Sequence, residues 1–193
     1  FTSILLLAMP VLGAPANPDC RVDDCGVVAR LEVASCVFLT EASVGVIAPD
    51  WRGSLGDQRA LEPNTVQVTQ QAGETIYSSV LEEQANRTRL RQVVRPIPRG
   101  VRLEYELTPE VEMAVETVVF RAQIPMLPHR GSSRYVALGE EVTSGVFPQE
   151  LPGPSYHFLP GQNFDWLALV AADGAALRIK AEGITLGLQD ARK

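Results

Sequence analysis

The sequence predicts an all-β protein, a large antiparallel β-sandwich, and three observations carry that expectation. Val101, Leu103, Tyr105 and Leu107 alternate with Arg102, Glu104, Glu106 and Thr108. This period of two gives a strand one apolar face and one wet face. About ten short runs of this kind follow one another, with turn-forming residues every ten or so positions. No long stretch carries the 3.6-residue periodicity of an amphipathic helix.

Taken in order, the chain opens on the apolar run Ile4 to Leu12. It is too short to span a bilayer, and Ala14-Pro15-Ala16 fits a small-x-small cleavage site. Residues 1–16 are therefore expected to be a signal peptide, and 17–193 a single sandwich domain that is secreted, periplasmic or at the cell surface. No stable membrane insertion is expected once the leader is cut. A chain that starts at Phe1 without a basic leader head, and ends on strand-like pattern at Asp190 to Lys193, reads as truncated at both ends.

Cys20, Cys25 and Cys36 are the only cysteines. An exported chain favours one disulfide, Cys20–Cys25 or one of these with Cys36, leaving one thiol. Three thiols without a nearby histidine make an incomplete metal set, so neither metal nor cofactor is expected. Strands are predicted over Val27 to Phe38 and Ala42 to Ala48, before turn formers from Pro49 to Gly56 break the pattern. Further runs lie at Thr65–Thr69, Thr75–Leu81 and Arg89–Arg95.

Val101–Thr108 is expected to pair with the apolar run through Val118, Phe120 and Ile124 as a central hairpin, with a bulge near Thr117. Beyond Ile124 a loop leads to a strand at Arg134–Leu138, and Gly139 to Pro154 reads as an irregular connection. The last strands are Trp166 to Ala171, Ala175 to Ala181 and Ile184 to Leu188, with Asp173-Gly174 as a tight hairpin turn.

Composition excludes some functions. A net charge of −6 argues against nucleic acid, which needs a basic surface. The arginines between Arg87 and Arg95 read as the solvated face of a strand pair. No phosphate loop, nucleophile elbow or paired metal-spaced histidines occur. Glu104, Glu106, Glu112 and Glu116 include carboxylates that would serve glycoside cleavage if two faced one another across a groove. As bare residues they read as the wet side of a sheet. Trp51, Tyr156, His157 and Trp166 are the ligand-binding candidates, because a flat ring stacks on a pyranose while polar neighbours fix its hydroxyls.

The succession Val101 to Thr108, Val118 to Pro125, the Gly131 to Tyr135 turn and Leu167 to Leu188 with its Asp-Gly hairpin resembles the galactose-mutarotase-like supersandwich modules of secreted bacterial carbohydrate-active proteins. The resemblance covers residues 60–193 and implies a two-sheet antiparallel supersandwich associated with glycans. Enzymes of that fold use histidine and acidic residues on the concave sheet. Only His129 and His157 are present, and no catalytic residue is carried over. The expected function is thus a carbohydrate-binding or carbohydrate-positioning module of a larger glycan-active protein, with polysaccharide or oligosaccharide as partner. The alternatives are a mutarotase-like or lyase-like enzyme, which requires a histidine beside a carboxylate, and a ligand-free adhesion sandwich.

Overall fold

A computed structural model describes residues 2–9, 18–150, 156–162, 164–182 and 186–190. In chain order its strands are β1 Thr2–Met9, β2 Asp19–Val22, β3 Val28–Val33, β4 Cys36–Leu39, β5 Glu41–Ile47 and β6 Ser54–Asp57. There follow β7 Gln67–Gln71, β8 Glu74–Glu83, β9 Asn86–Ile97, β10 Gly100–Pro109, β11 Thr117–Gln123 and β12 Arg134–Leu138. The last are β13 Val142–Val146, β14 Tyr156–Gln162, β15 Trp166–Val170, β16 Ala176–Glu182 and β17 Leu186–Asp190. Helical structure among the described residues is confined to single 3-10 turns at Pro49–Trp51, Gln58–Ala60 and Pro63–Thr65, and no helix is long and apolar enough to cross a membrane.

The strands form a nine-stranded antiparallel sheet in the order β13-β12-β15-β16-β1-β10-β9-β8-β7. A six-stranded sheet runs β11-β5-β3-β2, with β4 on β3 and β6 on β5, and β14 pairs with β17 as a two-stranded sheet among the described residues. The alternation read in Val101–Thr108 holds: Val101, Leu103 and Tyr105 are buried while Arg102, Glu104 and Glu106 keep partial exposure. The buried side meets the second sheet, where the Tyr105 ring lies 5.9 Å from Phe120. One apolar cluster, including Leu31, Phe38, Leu81, Leu103 and Leu177, joins the layers. Burying each such leucine contributes about 2 kcal/mol, and the wet alternate residues let the sheet face water on its other side.

Three expectations are corrected here. The central hairpin does not exist: β10 pairs with β9 and β1, while β11 pairs with β5 in the other sheet. Residues 110–116 carry the chain between layers, so the two runs meet face to face rather than edge to edge, and the apolar slip near Thr117 marks the start of β11 rather than a bulge. Val27 to Phe38 is a hairpin, not one strand, because Ala34 and Ser35 take φ of 51° and 68°. The expected irregular connection after Gly139 contains β13.

Thr2–Met9, within the expected leader, is a strand in this structure. It lies in the middle of the large sheet, paired with β10 on one side and β16 on the other. Ile4 and Leu6 are fully buried. An apolar run that would suit a leader equally suits a strand whose inward side chains all meet a core. The expected cleavage site at Ala14 to Ala16 lies outside the described residues.

Candidate functional site

A groove of about 900 Å³ opens over β8, β9 and β10 near the margin of the large sheet. Its floor follows from register. Gln67 pairs with Ser78, Ser78 with Arg91, and Arg91 with Glu106. Directly paired residues point to the same face, so amide, hydroxyl, guanidinium and carboxylate form one row across four strands. At a spacing of ~4.8 Å per strand the row is roughly 14 Å long. It lies on the face opposite Tyr105, and therefore opposite the core. The next row, Val80, Arg89 and Thr108, also borders the groove.

The groups in these rows differ in how far they are committed. Arg89 holds Glu110 at 3.3 Å, and Arg87 holds both Glu110 and Glu82. Arg91 and Glu106 have no side-chain hydrogen bond or ion pair to the described residues, so a guanidinium with only donors and a carboxylate with only acceptors lie side by side uncommitted.

The segment from Asp57 to Thr65 also lines the groove as its wall; two side chains fix it, and the first is anchored on the core face of the large sheet, opposite the Ser78–Arg91–Glu106 row. Gln58 is completely buried. Its Nε2 donates to the Cys25 carbonyl at 3.0 Å and to Gln92 Oε1 at 2.7 Å, while its Oε1 accepts the Val44 N–H at 3.2 Å. Gln92 Nε2 in turn donates to the Tyr105 hydroxyl at 3.2 Å. One amide thus ties the wall to both sheets, and every polar group in the relay is paired, as low-dielectric surroundings demand.

Asp57 is the second clamp, accepting from Arg59 at 2.6 Å and from Arg121 at 3.3 Å. Burial alone would raise its carboxyl, but the hydrogen bonds and charge of Arg59, with the charge of Arg121, hold it below the ordinary carboxylate value. A carboxylate depressed in the folded state stabilises above its unfolded pKa of about 3.9, and that stabilisation is lost as pH falls through the lower folded value. Asp57→Asn is accordingly expected to flatten the fall of the urea midpoint below about pH 4. An unchanged acid limb would show that this clamp contributes nothing to stability.

The expected ligand-binding residues do not share a hollow. Trp51 is 65% exposed in the turn between β5 and β6, outside the groove. Both Asp50 and Trp51 take positive φ there, 56° and 58°. The Trp51 N–H bonds the Ala48 carbonyl at 3.1 Å, and the Asp50 N–H bonds Glu116 at 3.2 Å. Trp166 starts β15 in the same large sheet but three strands away from β10, half-buried opposite Leu138. Tyr156 and His157 pair by backbone with Asp190 and Gln189 in β14 and β17; their side chains lie outside the described residues. Among the described residues no aromatic side chain lines the groove.

The expected carboxylate pair is dispersed as well. Glu104 is held near Arg95 and Arg102, and Glu116 caps the Trp51 turn; of the four expected carboxylates Glu106 alone lines the groove, where Asp57, Glu62 and Glu82 join it.

His129 is buried and structural. Its Nε2 faces the Val37 carbonyl at 2.9 Å and its Nδ1 the Ser133 hydroxyl at 3.0 Å. A carbonyl accepts only from a donor, so Nε2 carries the hydrogen and pins the β11–β12 connection onto β4. Among the described residues no carboxylate touches the ring; an enzymatic reading required that pairing at His129 or at His157, whose side chain lies outside the described residues.

The three cysteines are thiols in this structure. Cys20 and Cys36 sit on strands flanking β3 on its two sides, about two strand spacings or ~10 Å apart, beyond the reach of a disulfide. Cys25 instead donates its S–H to the Leu61 carbonyl at 3.3 Å. Burial, helped by the charge of Asp19, pushes the Cys20 thiol up to about 11. Such thiols pack as small apolar groups rather than react.

Sequence reading saw Arg91 and Glu106 only as wet-face charges, since their meeting depends on a register no single strand encodes. No family model, curated protein or solved structure matches this chain.

Proposed function

We propose that the chain is a carbohydrate-binding or carbohydrate-positioning module that takes a polyhydroxylated ligand in the groove over β8, β9 and β10. The observation that carries this reading is the uncommitted Arg91 beside the uncommitted Glu106 in a row of four polar side chains. Arg91 requires an acceptor and Glu106 a donor. A sugar hydroxyl is both, so neighbouring hydroxyls satisfy the two groups together without bringing charge. Ser78 and Gln67 extend the same pattern toward the wall. The chemistry is that of binding, because His129, the histidine whose partners are described, is occupied in holding a loop.

Affinity electrophoresis of the full chain through gels cast with neutral polysaccharides, followed by calorimetry with derived oligosaccharides, tests the proposal. Arg91→Ala and Glu106→Gln are each expected to weaken binding about tenfold or more, since hydrogen bonds to charged groups contribute ~1.5–3 kcal/mol. Trp51→Ala is expected to leave groove affinity within about twofold, the ring being outside it. Retardation that Trp51→Ala abolishes and Arg91→Ala spares would move the site to the turn after β5. No retardation on any polysaccharide would remove the carbohydrate reading.

A further inference from the structure

We infer that two copies of this chain join through β13, edge to edge, so that their large sheets run on as one. β13 ends the nine-stranded sheet, and among the described residues it pairs only with β12. Beyond the two ends of β13, the Phe147 N–H bonds the Ser133 carbonyl at 3.0 Å and the Gly139 N–H bonds the Glu141 carbonyl at 3.2 Å. Backbone groups alternate in direction along an antiparallel strand. The odd-numbered residues therefore face β12, and the N–H and C=O groups of Val142, Ser144 and Val146 point off the sheet.

The side chains on this edge suit a copy of themselves. Val142 is 66% exposed and Val146 53%; through the β12 and β15 registers they share a face with Val136, Leu138, Trp166 and Ala168, and with Arg134, the direct partner of Val146. The strand reads Val-Thr-Ser-Gly-Val, which is close to symmetric about Ser144. A two-fold axis at Ser144 sets Val142 against Val146 of the second copy and Ser144 against itself. It matches the outward backbone groups in about six hydrogen bonds. The same register places Glu140 against Pro148 and Glu141 against Phe147, so no acid faces an acid across the axis.

β13 also lacks the charged or proline residues that keep sheet edges apart. The other terminal strand, β7, presents Gln67, Thr69 and Gln71 on the corresponding face and offers a second copy little apolar surface.

Sedimentation velocity of the full chain over a dilution series is the test. The expected result is a species of twice the 21.0 kDa chain mass at high concentration, falling to one chain mass on dilution. Val146→Lys is expected to hold the protein at one chain mass with an unchanged far-UV spectrum, whereas Thr69→Lys on β7 leaves the doubling intact. Ser144→Cys provides a second arm that needs no surface charge. Mild oxidation is expected to give a cross-linked dimer on a non-reducing gel, absent from the parent chain with its own three thiols and from Thr69→Cys. A protein of one chain mass throughout, without the Ser144→Cys cross-link, overturns the inference. So does a dimer that Thr69→Lys abolishes and Val146→Lys does not.

Discussion

A chain beginning at Asn17, with β1 removed, is expected to lose its cooperative unfolding transition. β1 pairs with β10 from Thr2 to Leu7 and with β16 from Ser3 to Met9. Its removal would split the nine-stranded sheet into two pieces with unpaired inner edges. Ile4 faces Leu103 and Ala181, and Leu6 faces Val101 and Ile179, all buried. Deleting two fully buried aliphatic side chains costs about 2–5 kcal/mol each. The stranded backbone groups of β10 and β16 add to that unless water reaches them. Whole-domain stability is about 5–15 kcal/mol, so the sum consumes most or all of it. The check is thermal unfolding followed by near-UV circular dichroism, with dye binding to exposed apolar surface at low temperature. A shortened chain that melts cooperatively near the full-length midpoint would mean that β10 and β16 close the gap, and that the first strand is dispensable.

That experiment bears on how much of the fold is legible in the residues. Period-two alternation identified β10 and β16 because each has one wet and one dry face. β1 escaped because a strand this apolar has no alternation to read, and its composition matches a leader as well as a central strand. The hairpin of β15 and β16 was legible through Asp173-Gly174: Gly174 has φ of 88° and Asp173 Oδ1 accepts the Ala175 N–H at 2.9 Å. The turn between β3 and β4 was not, since Ala34 and Ser35 reach the left-handed region without glycine or asparagine to announce it.

Partner choice was the least legible property. β11 has the pattern of a neighbour for β10, yet joins the other layer because alternation gives the dry face and says nothing about which edge is taken. The site inherits this: the alternation of Arg91 and of Glu106 is plain in each strand, and only the four-strand register makes them a row. Trp51 was legible as an exposed ring, and equally illegible as a residue outside the groove.

Gly26→Ala is expected to destabilise the protein by about 3–5 kcal/mol and to weaken the groove at the same time. Gly26 has φ of +81°, where a Cβ is strained, at about 1 kcal/mol or more. The added carbon would also stand 2.3 Å from Gln92 Oε1 and 3.0 Å from both Gln58 Nε2 and Tyr77 Cγ. Gln92 must move, which breaks its bonds to Gln58 and Tyr105 and leaves buried amides unpaired at about 1–3 kcal/mol for each group. For a chain of this size the midpoint of thermal unfolding would fall by roughly 10 °C. Because Gln58 also ties the groove wall to Val44 and Cys25, oligosaccharide affinity is expected to fall with stability even at temperatures where the variant remains folded. Pairing Gly26→Ala with Gln92→Ala separates the contributions: the clash is relieved, but Gln58 still lacks its partner, so only part of the stability returns. A single variant within about 1 kcal/mol of the parent would mean that the Gln58–Gln92 contact yields without cost and is not what holds the wall.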